Sequence, residues 1–385
     1  SRHEPASQCG VSHFIEHMVF KGTTSRYAER IAAEVDSIGG YMDAFTAKEY
    51  AAFHLKVLDE HLPLAVDILA DIVLNPLFDP TELTKEKKVI YEEINMVEDT
   101  PDDLVMELLC EAFWPEHALG KPILGTKRSV SRFRREHLAA YFARAYNPAN
   151  IVIVAAGHLE HATLAELVRR YFRGLRRRAV PSNGHPPRPV AATVARSKKE
   201  LEQVHLCIGT RALPQGHPDR YASFVLNTVL GGSMSSRLFQ HVREKRCLVY
   251  SISSGITSYS DAGLLSIYAG TSLESLREVI RLTLEEMRRL VGERLPEEEL
   301  RRAKDHIKGG LVLSLESTGA RMSHLARQEI YFGQQQPLAA ILDDIERVGA
   351  EDVQRLAAEL FRGRVGASVL GNLRGFRPRA KDLVV

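Results

Sequence analysis

The chain repeats its own plan, and that repeat limits the folds open to it more than any other feature. In the first half an amphipathic helix from about Leu62 to Leu74 precedes Pro80, and a second helix is predicted from Thr81 to about Val97. Much later comes an apolar strand, Ile151 to Ala156, ending in Gly157-His158. The second half has a helix from about Leu276 to Leu290, then Pro296, a helix from Glu297, and a strand from Val365 to Leu370 ending in Gly371-Asn372. Pro80 to Gly157 is 77 positions and Pro296 to Gly371 is 75. Matching order at matching spacing implies a duplicated domain, each copy with its own core. Helices come in consecutive runs, with strands such as Ala51 to Leu58 and Leu264 to Ala269 elsewhere. Strict alternation of strand and helix is absent, which predicts an α+β fold: two homologous domains, each a mostly antiparallel sheet with helices packed on one face.

The most polar, proline-rich stretch, Arg176 to Lys199, has the composition of a linker, and its arginine run reads as solvated surface. A first domain is therefore expected over residues 1–178, a linker over 179–197 and the duplicate over 198–385. Lysine plus arginine total 51 and aspartate plus glutamate 49, so the net charge of +2 offers nucleic acid no electrostatic footprint. No apolar run reaches the roughly 18 residues of a membrane span. Cys9, Cys110, Cys207 and Cys247 lie far apart and form neither a disulfide framework nor a cysteine zinc site. A reducing compartment is the simplest expectation, the cytoplasm first, with the periplasm or an organelle as alternatives. The chain begins Ser-Arg-His-Glu-Pro, and an H-x-x-E-H sequence arrives by residue 13, before any strand. That order leads us to expect an upstream segment holding the first strands of the domain.

The motif is His13-Phe14-Ile15-Glu16-His17, an H-x-x-E-H. Positions i and i+4 of a helix share a face, so both imidazoles can reach one metal ion. Glu16, at i+3 from His13, stands beside them and can take a proton from the attacking water. A catalytic zinc needs a third protein ligand and one open position. The best source is the predicted helix with Glu82, Glu86, Glu92 and Glu93. Glu86 and Glu93 lie two turns apart on one face, whereas Glu92 points about 100° away from Glu93. Acids on a helix ordinarily form a solvated face, so spacing alone leaves the third ligand open.

His13 to Thr23, His-Phe-Ile-Glu-His-Met-Val-Phe-Lys-Gly-Thr, resembles the signature of the pitrilysin family of zinc peptidases, family M16, which includes the mitochondrial processing peptidases and bacterial homologues. The resemblance spans the whole chain. It implies the processing-peptidase-like metallohydrolase fold and one zinc ion per chain, held by His13, His17 and Glu93, with Glu16 as general base and Glu86 in support. The family's third ligand lies about 76 residues after the second histidine, which is Glu93 here. In the second half the family carries an Arg and a Tyr seven apart that contact substrate at the scissile bond, matched by Arg243 and Tyr250. Both can donate to a carbonyl oxygen gaining negative charge. Cys247 stands where the family usually has glycine, and Gly231-Gly232-Ser233 reads as a flexible turn near the cleft. Gly39 to Thr46 resembles the family's substrate-pairing edge strand, which assigns Asp43, Ala44 and Phe45 to peptide binding, with Asp43 in place of the usual asparagine. The second copy has no metal site, since the Pro80-to-Glu93 offset applied to Pro296 falls on Gly309.

The resemblance implies a zinc endopeptidase acting on peptides or unfolded segments in a clamshell chamber. Larger relatives carry four domains on one chain and this one has two, so the resemblance implies a dimer. A homodimer is economical because this chain has both motifs. The alternative is a heterodimeric or non-catalytic subunit of the processing-peptidase kind.

Overall fold

A computed structural model describes residues 1–173 and 186–385; part of the predicted linker, 179–185, lies outside the described residues. The described residues form two units, each assembled from separate stretches. The first holds 1–96, 121–173 and 317–326, and the second 97–120, 186–316 and 327–385.

In the first unit, helix α1 (Val11–Val19) lies in the core, with Phe14, Ile15, Met18 and Val19 fully buried. Its start depends on Gly10, whose φ of 92° and close approach to the Leu124 carbonyl leave no room for a side chain. The Glu4 carboxylate accepts from the Gly10 and Ser12 amides at 2.7 and 2.9 Å, and so caps the free N–H groups of the first turn. Helix α2 (Ala28–Asp36) leads to strands β1 (Tyr41–Thr46) and β2 (Ala51–Lys56), an antiparallel pair with Tyr41 opposite Lys56. Helix α3 (Leu62–Leu74) matches its predicted limits, and α4 (Pro80–Asp99) slightly exceeds them. The segment Thr23–Arg26, just after α1, is tied to α3. Thr23 and Ser25 donate to the buried Asp71 carboxylate at 2.7 and 2.6 Å, and Arg26 joins it at 3.0 Å while also pairing with Glu34 and Asp67. The short α6 (Lys127–Ser131), α7 (Arg135–Ala145) and α8 (His161–Tyr171) complete the series, with α7 against α1 and α8 against α3. The predicted strand Ile151 to Ala156 does not form a ladder. An apolar run becomes a strand only when a neighbour takes its N–H and C=O groups, and no described strand lies beside it.

The second unit is built on one five-stranded sheet, in the order β3 (Thr193–Ser197), β7 (Gly366–Gly371), β4 (Val204–Ala212), β6 (Gly263–Thr271) and β5 (Val249–Ser258). Only β3 and β7 run parallel, so the sheet is mostly antiparallel, and the α+β class holds. Helices α9 (Arg220–Leu230), α10 (Leu276–Gly292) and α14 (Ala350–Phe361) share the main core with it, and α11 (Glu297–Ser314) and α13 (Leu338–Arg347) pack on α9. Between them in sequence comes α12 (Thr318–Phe332). Helix α5 (Pro101–Phe113), which sequence periodicity did not single out, lies against β4 and β7. Its Leu104, Val105, Leu109 and Phe113 form a smaller core with Cys207, Leu264 and Leu370. Those side chains point away from their Leu206 and Val369 neighbours, so α5 covers the other face of the sheet.

Candidate metal centre

Two helices far apart in sequence build the site. Helix α1 presents His13 and His17 one turn apart, their ring centroids 4.7 Å from each other. Helix α4 turns a narrow stripe inward, Leu83, Glu86 and Ile90, and Glu93 continues it. Glu93 Oε2 lies 3.6 Å from His13 Nε2, and Glu93 Oε1 3.4 Å from His17 Nε2. One ligand atom from each of these three residues fits within a 4.8 Å span, and no other described group of three His, Cys, Asp or Glu converges in this way. Glu92, one position earlier, bonds instead to Asn95 at the surface.

The surroundings fit a divalent cation. Burial, and then the neighbouring His17, lower the His13 pKa to about 4, so its ring is neutral and free to ligate. For His17, burial opposes charging, but the Glu86 hydrogen bond and the Glu93 and Glu86 charges outweigh it and raise the pKa. Burial above all, helped by the Glu86 charge, raises the Glu93 carboxyl, whose Oε2 is buried without a hydrogen-bond partner. A cation between the three would offset that desolvation and supply the missing partner. Two imidazoles and one carboxylate, with one position left open, form the donor set of a catalytic zinc. Behind the ligands, His17 Nδ1 meets Glu86 Oε2 at 3.0 Å, and Lys21 Nζ meets Glu86 Oε1 at 2.7 Å. Burial would raise the Glu86 carboxyl, but these two donors hold it below the usual range. Glu86 thus stays charged and fixes which nitrogen His17 turns inward.

Glu16 is 9% exposed, and its Oε2 accepts a hydrogen bond from the Thr46 hydroxyl of β1. Burial raises its pKa, against the opposing effects of Thr46 and His17. A cavity of about 370 Å³ opens beside Glu16 and His17, walled by Phe20, Ile31 and Met42, with Lys21 and Asp43 also on its lining. Among described strands β1 pairs only with β2. The Ala44 amide donates to the Asp43 carboxylate at 2.8 Å, Tyr41 donates to its other oxygen, and Phe45 is half-exposed. Sequence reading missed Thr46 and Lys21. Lys21 was findable as a cation four residues past His17, and Thr46 as the inward member of the alternation Met42, Ala44, Thr46.

Arg243 and Tyr250 lie in the second unit. Arg243 closes a π-helical turn, Phe239–Glu244, with its guanidinium 4.6 Å over the Phe239 ring, and Tyr250 on β5 is 76% exposed. Cys247 adopts a φ of 54°, the left-handed conformation that glycine serves more cheaply. The Gly231-Gly232 turn holds a close contact that its composition does not show. Gly231 is buried, and a Cβ there would stand 2.7 Å from the Ser254 amide of β5, so glycine is needed for close backbone approach.

The family model described as "Insulinase (Peptidase family M16)" matches residues 1–127, and "Peptidase M16 inactive domain" matches residues 132–307. An uncharacterized zinc protease of Bacillus subtilis, YmxG, is 43% identical over 361 residues, covering 94% of this chain and 88% of its own length. The chain belongs to peptidase family M16. An uncharacterized zinc protease of Mycobacterium tuberculosis is 39% identical over 376 residues, covering 96% of this chain and 86% of its own. A protease from Helicobacter pylori has a similar fold at a TM-score of 0.88 and 19% identity, covering 96% of this chain and 91% of that one. As an M16 chain whose relatives are named zinc proteases, it carries H-x-x-E-H and the distal glutamates at one place in its structure. No described helix is long and apolar enough to cross a membrane.

Proposed function

We propose that this protein is a zinc-dependent endopeptidase that cleaves peptides or unfolded protein segments. The observation that carries the reading is the convergence of His13, His17 and Glu93, with Glu16 buried beside them. These three residues would hold one zinc ion, which when bound lowers the pKa of the attacking water and polarises the scissile carbonyl. Glu16 takes the proton of that water and returns it to the leaving amine. Its raised pKa brings it closer to the neutral range in which a carboxylate can do both. Thr46 fixes one Glu16 oxygen, leaving the other for the proton. Glu86 orients His17.

An extended substrate pairs with the open edge of β1. At Ala44 it must displace the Asp43 carboxylate, which now occupies that amide. Arg243 and Tyr250 donate to the carbonyl oxygen as it gains charge. We further propose a homodimer, in which Arg243 and Tyr250 of one chain complete the zinc half-site of the other. The test is digestion of a mixed-sequence peptide library by the wild type and by Glu16→Gln, with and without a chelator. Cleavage by the wild type is expected to cease with chelator and to fall about 10²- to 10⁴-fold in Glu16→Gln, which still binds one zinc. A purified chain that binds no zinc and cleaves nothing refutes the reading.

A further inference from the structure

The π-helical turn that carries Arg243 rests on an ionic cluster that the proposed chemistry does not use. The turn is wide: Lys245 N–H reaches back five residues to the Gln240 carbonyl at 3.0 Å, and Leu248 N–H reaches six, to Val242, at 3.2 Å. Its inner side is apolar, with Leu238 and Val242 fully buried. The wide turn sends Arg243 over Phe239 on one side and His241 toward α10 on the other. There His241 Nδ1 meets Glu286 Oε1 at 2.7 Å. Arg289 donates to the same oxygen at 3.1 Å and to Glu285 at 2.8 Å, while Arg246 donates to the His241 carbonyl at 3.1 Å.

Glu286 is 3% exposed, on a helix face otherwise made of residues such as Leu282, Met287 and Leu290. Its second oxygen is buried without a hydrogen-bond partner, and the residue lies beside a cavity of about 380 Å³ also lined by Arg237, His241, Lys245 and Glu299. A leucine would suit that face better for stability, since a buried carboxylate loses its hydration and here recovers it at only one oxygen. What the carboxylate supplies is direction: it fixes the His241 ring, and with it the π-helical turn.

We propose that Glu286, oriented by Arg289, is a positioning residue that acts through His241 to aim Arg243 at the substrate carbonyl. This rests on the role proposed for Arg243 above. The experiment measures kcat and KM on a fluorogenic peptide chosen from the library digest, for wild type, Glu286→Gln, Arg243→Ala and the double variant. Amide hydrogen exchange at Lys245, Cys247 and Leu248 is followed in parallel. Arg243→Ala is expected to lower kcat on the order of 10²-fold. Glu286→Gln keeps the side-chain volume and is expected to lower kcat about tenfold with KM within about twofold. It also speeds exchange at the three amides about tenfold. The double variant matches Arg243→Ala, because a misaimed residue that is already absent costs nothing more. His241→Asn weakens the same contact from the less buried side and repeats the result should Glu286→Gln fail to fold. Additive losses, or unchanged kcat and exchange in Glu286→Gln, overturn the proposal. If Arg243→Ala retains full activity, the reading of Arg243 falls and takes the catalytic part of this proposal with it. In that case the zinc reading stands on Glu16→Gln, and unchanged exchange overturns the structural part as well.

Discussion

Replacing Glu86 by glutamine separates charge from shape behind the metal ligands. Glutamine can still accept from His17 Nδ1, so the hydrogen bond that orients the ring survives while the negative charge is lost. The Lys21 ammonium, now 2.7 Å from a carboxylate, is left beside a neutral amide. The path from Lys21 through Glu86 and His17 places that charge within roughly 12 Å of the zinc position, on ordinary bond and coordination lengths. A unit charge facing a dication at about 10 Å costs about 1–3 kcal/mol as the effective dielectric falls from that of water toward 20. Lys21 is about one-third exposed, which favours the lower end. Glu86→Gln should therefore weaken zinc about tenfold, at about 1.4 kcal/mol per factor of ten. Adding Lys21→Met removes the uncompensated charge and should recover most of that loss. Competition against a chromophoric chelator measures both. If Glu86→Gln binds zinc like wild type, or the double variant binds no better than the single, charge balance behind His17 is not what tunes the site.

Two further expectations rest on the fold and a third on the proposed homodimer. Asp71→Asn should destabilise the protein by about 1–3 kcal/mol at pH 7, since Thr23, Ser25 and Arg26 lose a charged acceptor. Burial would raise the Asp71 pKa, but these donors and Asn75 lower it. Its stabilisation is thus present above the ordinary carboxylate range and lost as pH falls through the depressed folded value, so urea melts of variant and wild type should converge in acid. Gly231→Ala should cost about 1–3 kcal/mol, because its Cβ meets the Ser254 amide of β5 at 2.7 Å as well as that residue's Oγ and Cβ; an unchanged melting curve would contradict this. Mixing Glu16→Gln chains with Tyr250→Phe chains should restore cleavage in mixed dimers, and no recovery after co-refolding would count against sharing of the site between chains.

The candidate metal site was legible because its signal is local and periodic. His13 and His17 at i and i+4, and Glu86 and Glu93 two turns apart, need only a helix to share a face, and both helices form where expected. Glu93 could be singled out from Glu82 and Glu92 only by family resemblance, because nothing in spacing says which acid meets a distant helix. What sequence missed depends on tertiary approach. Ile151 to Ala156 has the composition of a strand, but strands are pairings and not segments. Gly231-Gly232 has the composition of a flexible turn, but the close approach of Gly231 to β5 is set by the fold and cannot be read from composition. Glu286 sits in an apolar helical stripe and becomes noticeable only once His241 is seen beside it.

The division of the ligands between α1 and α4 has a consequence for folding as well as for chemistry. His17 and Glu93 are 76 residues apart, and a bound ion would tie them together as a removable staple. Because the unfolded chain lacks the preformed site, binding free energy becomes folding free energy. At a free zinc concentration 100 times the dissociation constant, the native state gains about 2.7 kcal/mol, a sizeable share of a domain's net stability. The melting temperature of this protein would then report its metal supply. A cell short of zinc would hold not merely an idle peptidase but a looser one, more open to degradation by other proteases.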